Sequence, residues 1–221
     1  MIIGVCGFIG TGKDTVADYL VNIHQYKRES FANSLKDAVA TIFNWDREML
    51  EGRTKSSRAW RDKEDKWWAK RLNRPGFTPR LALQLLGTDV LRDHFSKDIW
   101  IASLENKLRN SEDDIVITDC RFPNEIKAIK NLGGIVVRVM RGPEPVWEQD
   151  AINVNRGPDG NVMWTTAVKN MQKTGIHSSE WAWLGTKFDV LLDNNGSMDL
   201  LYQQITDLVT NPQVSKASLT S

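Results

Sequence analysis

The sequence is poor in several things, and each scarcity excludes a class of protein. Its 221 residues include two cysteines, Cys6 and Cys120, too few for a disulfide framework or a four-cysteine zinc site. No apolar run reaches the roughly 18 residues that mark a membrane-spanning helix. The chain is apolar from its first residues, with no basic region or small-residue cleavage site behind them, so no secretory signal is expected. An excess of one charge is missing too: 29 Lys+Arg stand against 28 Asp+Glu, a formal net charge of +1. Any basic surface is therefore local, which argues against a DNA-coating protein. There is no internal repeat and no low-complexity tract. These absences point to a reducing, cytoplasmic setting, for a chain long enough to bury a core without staples. Tryptophan departs in the other direction, with nine copies, most of them outside the segments that read as core.

What is present alternates strand and helix. Residues 1–6 (MIIGVC) are continuously apolar, as in a strand buried on both faces of a parallel sheet. A loop with three glycines follows over 7–12, then a helix on which Val16, Ala17, Leu20 and Val21 recur at spacing four. Residues 26–31 read as a second short strand. Ser34 is placed to cap a helix whose inner face is Leu35, Val39, Ile42 and Phe43. From 45 to 79 the apolar periodicity fades and Lys, Arg and Trp accumulate, which reads as a partly helical flap standing off the core. Helical pattern resumes at 80–86 and, after a break near Gly87, continues through Leu91, Phe95, Ile99, Leu104 and Leu108.

Residues 115–118 (IVIT) form another buried-strand run, ending at Asp119. A helix carrying Ile126, Ile129 and Leu132 stops at Gly133-Gly134, and 135–140 (IVVRVM) is a further strand. Prolines and glycines mark 142–175 as a second excursion. Residues 188–192 complete the strands. Ser197 caps a last helix with Met198, Leu201, Ile205 and Leu208 on one face, and 211–221 is polar and expected to fray. Apolar strands separated by helices predict an α/β fold, a parallel sheet covered by helices on both faces. Right-handed crossovers put every strand's carboxyl end on one side, where ligands bind.

The first such loop, residues 7–15 (GFIGTGKDT), fits G-x-x-x-x-G-K between a buried strand and an amphipathic helix. Backbone N–H groups of Gly10, Thr11 and Gly12 can turn inward on a polyphosphate, Lys13 adds a point charge, and the helix adds the positive end of its dipole. The plainer alternative is a glycine-rich turn with an incidental lysine. The hydroxyl residue that usually follows the lysine and ligates Mg²⁺ is replaced by Asp14, with Thr15 one position late. Asp14 can approach the metal or its waters or merely cap the helix, and Thr15 can supply the hydroxyl instead.

Asp119, after IVIT, is placed like the acidic residue that holds or orders the metal at a second strand end. Arg121 shares that edge, where the alternative is a surface salt bridge with Glu125. Cys6 and Cys120 read as plain thiols on neighbouring strands. Phosphoryl transfer needs cations on segments that close over the substrates and exclude water. Arg53, Arg58, Arg61 and Arg80 in or beside the first excursion are candidates, as are Arg138, Arg141 and Arg156 in or beside the second. Most of these will be solvated surface charges. The Lys/Arg–Trp mixture at 58–71 also fits a single-strand nucleic-acid platform. Trp100 suits either a base stack or a core position. Gly87-Thr88-Asp89 fits a backbone approach to a ligand, or a helix start capped by Thr88.

Taken with TPRLALQLLGTD (78–89), Trp100, DCRFPNE (119–125) and HSSE (177–180), the phosphate loop gives the chain its likeness. It resembles the bacteriophage-type deoxynucleoside monophosphate kinases, within the P-loop nucleoside monophosphate kinase group. The likeness runs from residue 1 to about 209 and is weak over 45–75 and 142–175. In that family the loop also reads G-K-D-T. The resemblance implies one P-loop kinase domain over 1–209, with an acceptor-binding insertion at about 45–79 and a lid at about 142–176, followed by a flexible tail at 210–221. It implies that Lys13 with Gly10, Thr11, Gly12, Asp14 and Thr15 binds ATP phosphates. Arg58 and Arg80 would bind the acceptor's phosphate, and Gln84, Gly87, Thr88 and Trp100 would line the base pocket. Arg121 and Glu125 would complete the acceptor site, with Lys13, Arg80 and Arg121 carrying the catalysis. Asp14, Thr15 and Asp119 would hold magnesium, in part through water. His177 and Glu180 look like part of a closing segment of unassigned task.

The expected reaction is Mg²⁺-dependent transfer of the ATP γ-phosphoryl to a deoxynucleoside monophosphate. The expected partners are those two nucleotides, with no membrane and no stable nucleic-acid partner, and a homodimer is left open. A phage-encoded chain would work in the host cytoplasm. The rivals are a P-loop kinase of another small acceptor (a dephospho-coenzyme or sugar acid), a non-catalytic ATP-binding regulator, and a nucleic-acid module built on the Trp/Lys/Arg stretch.

Overall fold

The computed structural model describes residues 1–211. In chain order its elements are β1 (Ile2–Cys6), α1 (Lys13–His24), β2 (Lys27–Glu29), α2 (Asn33–Phe43), α3 (Arg47–Glu51), α4 (Lys55–Asp62), α5 (Lys66–Arg71) and α6 (Pro79–Gln84). A π-helical stretch (Leu85–Phe95) and α7 (Ile99–Leu108) come next. The chain continues through β3 (Ile115–Ile117), α8 (Pro123–Asn131), β4 (Ile135–Met140), α9 (Glu148–Arg156), α10 (Trp164–Thr174), a 3₁₀ turn (Ser178–Glu180), β5 (Val190–Asp193) and α11 (Met198–Thr210). It divides into two compact units: Met1–Ser30 with the described residues from Ser111 onward, and Phe31–Asn110.

The first unit holds one sheet in the order β2-β3-β1-β4-β5, every neighbouring pair parallel. Ile3 and Val5 turn to one face, where they pack with Val16, Ala17 and Leu20 of α1 and with Leu201, Ile205 and Leu208 of α11. On the opposite face α8 comes so close that a Cβ on Gly4 would lie 2.5 Å from the Ile129 Cδ1. Helices thus cover both faces, as the apolar strands require. Because all strands run one way, the loops after β1, β3, β4 and β5 gather at one edge. Central β1 marks the switch point of the strand order, where such sheets open for ligands.

Several local expectations are corrected. Ser34 lies inside α2 rather than capping it, and its hydroxyl pairs with that of Ser103 at 2.7 Å. Ile42 on α2 and Phe95 are exposed, and Met198 is exposed on α11, so none belongs to its expected inner face. The helical break falls at 96–98, not at Gly87, and Thr88 sits within the π-helical stretch rather than at a cap. The last strand starts at Val190, two residues later than expected. The second excursion contains α9 and α10, which pack on each other; Ala151 on α9 and Ala167 and Met171 on α10 are buried. The tail expected at 210–221 lies outside the described residues, apart from Thr210, which ends α11, and Asn211.

The second unit holds five of the nine tryptophans. Its short helices each start on a side-chain cap: Asp46 for α3, Thr54 for α4, Asp65 for α5 and Thr78, followed by Pro79, for α6. Ala69, Phe77 and Ala82 form a small apolar cluster with Phe43, Trp45 and Trp68 against it. The indole N–H groups are satisfied, Trp45 by Asp65 Oδ2 at 2.8 Å and Trp68 by the Phe43 carbonyl at 3.1 Å. The stretch that reads as a flap by sequence therefore has a core of its own, built from rings too irregularly spaced to show a helical period.

Candidate active site

The phosphate loop owes its shape to contacts from opposite ends of the chain. Gly12, with φ 102°, lies in the left-handed region, and a Cβ there would meet the Asn194 amide nitrogen at 2.4 Å. That buried Asn194, just after β5, donates through Nδ2 to the Thr11 carbonyl at 2.7 Å. The Thr11 hydroxyl in turn donates to the Phe8 carbonyl at 3.0 Å. Lys13 begins α1 and folds back, its Nζ donating to the carbonyls of Gly7 and Phe8 at 2.8 Å each. The ammonium thus lies in the concavity of its own loop. Burial pushes its pKa down from the ordinary lysine value, and the Arg121 guanidinium pushes the same way, with Asp14 and Glu180 partly offsetting both.

Asp14 points to α1's outer side, where Arg28 Nη1 reaches it at 3.3 Å and Arg28 Nη2 holds Asp18 at 2.9 Å. It is an exposed ion-pair partner, not a helix cap. Thr15 is half-buried in the first turn of α1. Asp119 follows β3, and the Ser30 hydroxyl donates to its Oδ2 at 2.5 Å. Among the described residues no group of three or more His, Cys, Asp or Glu side chains converges as a metal site.

Arg121 meets Glu125 through its backbone and not, as a surface salt bridge would require, through its guanidinium. The Glu125 carboxylate is buried and accepts the backbone N–H groups of Arg121 and Phe122 at 2.8 and 3.1 Å, fixing the start of α8. The Arg121 guanidinium instead donates to Glu180 Oε1 at 2.5 Å. Cys6 and Cys120 are both buried, Cys6 Sγ donating to the Cys120 carbonyl at 3.6 Å, and burial pushes the Cys120 thiol up, away from reactivity.

In the second unit, Arg80 pairs with Asp62, while Arg58 donates to the Gly52 and Arg53 carbonyls at 3.0 and 3.2 Å. Arg61 is half-buried beside them and donates to Leu50, and its pKa is pushed down by burial first and then by Arg80. Gln84 and Thr88 are exposed and Gly87 is buried. Trp100 is 7% exposed and its indole N–H donates to the Gly87 carbonyl at 2.9 Å, so of its two readings the structure shows the core one. Arg138 lies in β4 under Phe8, tied to Glu144 and Glu148 at 2.7 Å each, whereas Arg141 and Arg156 are exposed.

Three features escape sequence reading: Asn194, the Arg28–Asp14 pair, and the packing of Phe8 on Trp147 and Trp183. The only local hint of the first is the turn-rich D-N-N-G that ends β5.

The chain is similar in sequence to known proteins. A family model described as deoxynucleotide monophosphate kinase matches residues 62–157. A protein of Acanthamoeba polyphaga mimivirus, provisionally described as a deoxynucleotide monophosphate kinase, is 27% identical over 226 residues, covering 96% of this chain and 97% of that one. The deoxynucleoside-5'-monophosphate kinase of Escherichia phage T5 is 45% identical over 49 residues, 22% of this chain and 20% of its own. Among solved structures, the shikimate kinase of Aquifex aeolicus aligns with a TM-score of 0.43 and 12% identity, covering 97% and 99% of the two chains. The likeness drawn from the sequence is thus met in two relatives described as kinases of this kind, one of them similar along nearly the whole chain.

Proposed function

We infer that this protein is a deoxynucleotide monophosphate kinase, a phosphotransferase that moves the γ-phosphoryl of ATP to a deoxynucleoside monophosphate and releases ADP and the diphosphate. One observation carries the donor half: a glycine loop between a buried parallel strand and a helix, with the Lys13 ammonium folded into its concavity. An arriving triphosphate takes over the ammonium from the two carbonyls and collects the loop's amides, because phosphate oxygens are stronger acceptors for a cation than neutral carbonyls.

The acceptor is already an anion at neutral pH, so its oxygen needs no strong base and catalysis rests on position and charge neutralisation. Lys13 supplies charge on the donor side of that task, and Arg121, which completes the acceptor site by resemblance, also acts on Lys13 and so serves the transferred group between them. Arg58 and Arg80 take the acceptor's phosphate by resemblance, with Gln84, Gly87 and Thr88 toward its base. The buried indole of Trp100 supports that region by holding the Gly87 carbonyl. Glu125 serves through Arg121, whose backbone it anchors.

Magnesium, when carried in on the phosphates, supplies further neutralisation of the transferred group. Such an ion keeps several waters and needs only one or two protein carboxylates, which fits a site without a converging acidic cluster. Asp119 and the Thr15 hydroxyl would hold it or its waters, whereas Asp14 is turned to Arg28 and would reach it only on leaving that pair. The cytoplasm, a host's if the chain is virus-encoded, supplies both nucleotides.

The test is ADP release from Mg-ATP with a panel of acceptors: the four deoxynucleoside monophosphates, a dephospho-coenzyme and a sugar acid. Turnover with one or more deoxynucleotides and none with the others is expected. Turnover with only a coenzyme or sugar acid would contradict the acceptor assignment.

A further inference from the structure

The segment 177–183 (HSSEWAW) carries no task in the function proposed so far, yet the fold invests heavily in it. The His177 ring nitrogen accepts the Ser179 N–H at 3.3 Å and starts the 3₁₀ turn on which Glu180 stands. Beyond the turn, the Asn155 amide donates to the carbonyls of Trp181, Ala182 and Leu184 at 3.0, 3.3 and 2.9 Å. The Trp183 indole N–H donates to the Glu180 carbonyl at 3.0 Å, and its ring, only 2% exposed, lies 4.9 Å from that of Phe8. The Arg138 guanidinium packs over both rings. Glu180 is therefore fixed from both sides, and Phe8 is shared: its carbonyl takes Lys13 while its ring rests on the arm.

All this support presents one carboxylate, and that carboxylate meets Arg121 at 2.5 Å. The arginine side chain is 48% exposed, and an ion pair so open to water adds little stability, so the scaffold is out of proportion to a surface salt bridge. Phe8 ties this segment to the loop that holds Lys13, and the charges of both Arg121 and Glu180 act on its ammonium. Two cations and one anion thus share a field at the loop that awaits phosphate.

We propose that Glu180 is a positioning residue, which stands in for phosphate on Arg121 and releases that arginine when the nucleotide's phosphates arrive. This deepens the proposed function and rests on its reading of residues 7–15 as the phosphate loop. Before binding, the carboxylate compensates the repulsion between Arg121 and Lys13 and keeps the guanidinium aimed. On binding, a phosphoryl group offers two oxygens to the guanidinium fork and displaces the single carboxylate oxygen. Breaking the Arg121–Glu180 pair opposes ground-state binding, while the aim it preserves favours transfer.

The test is a double-mutant cycle of Glu180→Gln and Arg121→Ala, with Glu180→Ala run beside the first so that the result does not depend on one variant folding. Two quantities are read: calorimetric affinity for the magnesium complex of a non-hydrolysable ATP analogue, and kcat for ADP release with deoxynucleoside monophosphates. Removing the carboxylate is expected to tighten the analogue about threefold to tenfold and lower kcat at least about fivefold, with each effect under about twofold once Arg121 is Ala. No change with Arg121 present, or equal changes in both backgrounds as lost folding support would give, would overturn the proposal. Wild-type turnover reports separately on the acceptor reading: its absence would sink that reading, while analogue affinity still decides the role of Glu180.

Discussion

Lys13 holds two carbonyls of its own loop at 2.8 Å, and an ammonium parked there is poised to exchange them for phosphate oxygens. Lys13→Ala is expected to lower kcat by roughly 10²- to 10³-fold, with the circular dichroism spectrum of the wild type, because the side chain supports no packed core. Full activity in a folded variant would remove the loop from the chemistry. Asn194 is the complementary case. Its buried amide buttresses the loop through the Thr11 carbonyl, so Asn194→Ala should cost about 1–2 kcal/mol in urea unfolding. It should also raise the KM for ATP more than it lowers kcat. These two residues also mark how far sequence reading goes. Lys13 is legible because the whole motif lies within nine consecutive residues, whereas Asn194 is 183 positions from its partner. The pairing of Glu180 with Arg121, 59 apart, is hidden for the same reason, although the motifs point to each residue singly.

Among elements, α2 and α3 are joined by charge as well as by packing. Lys36 meets Glu51 at 2.8 Å, and Arg47 bridges Glu51 and Asp37. Burial pushes the Glu51 carboxyl up, but the hydrogen bonds from Lys36 and Arg47 outweigh it and hold the group below the usual carboxylate range. The Glu51 and Lys36 side chains are 12% and 13% exposed, so the pair is sheltered from screening. A depressed folded pKa means stability that is present above the unfolded pKa and lost as pH falls through the folded one. Glu51→Gln should therefore cost about 2 kcal/mol at pH 7. The gap to wild type should narrow as pH drops below about 4, and a pH-independent gap in urea unfolding would contradict this linkage. Elements with an unbroken apolar run, such as β1 and β4, or a clear period, such as α1 and α11, were readable in advance. The π-helical stretch was not, because its wide turn lets Gly87 and Thr88 continue a helix where glycine and threonine suggest a boundary. Nor were α3–α5, whose caps are evident in hindsight but whose apolar contacts come from rings at irregular spacing.

For the whole molecule, one sheet and one loop define what the first unit can do. The parallel order β2-β3-β1-β4-β5 brings the loop after β1, Asp119 after β3 and Asn194 after β5 to a common edge, and apolar strands alternating with helices foretold that edge. The second unit begins at Phe31, well before the insertion expected from residue 45. Its α2 carries an ordinary amphipathic stripe that sequence alone assigns to the main core. No helix among the described residues is long and apolar enough to cross a membrane. The claim on which the rest depends is that one phosphoryl group passes directly between two nucleotides. It is tested by incubating the protein with Mg-ATP labelled at the γ-phosphate and each deoxynucleoside monophosphate, then separating the products. Label appearing in the deoxynucleoside diphosphate, mole for mole with ADP, is the expected result. Label released as inorganic phosphate, or retained in ATP with every acceptor, would contradict it.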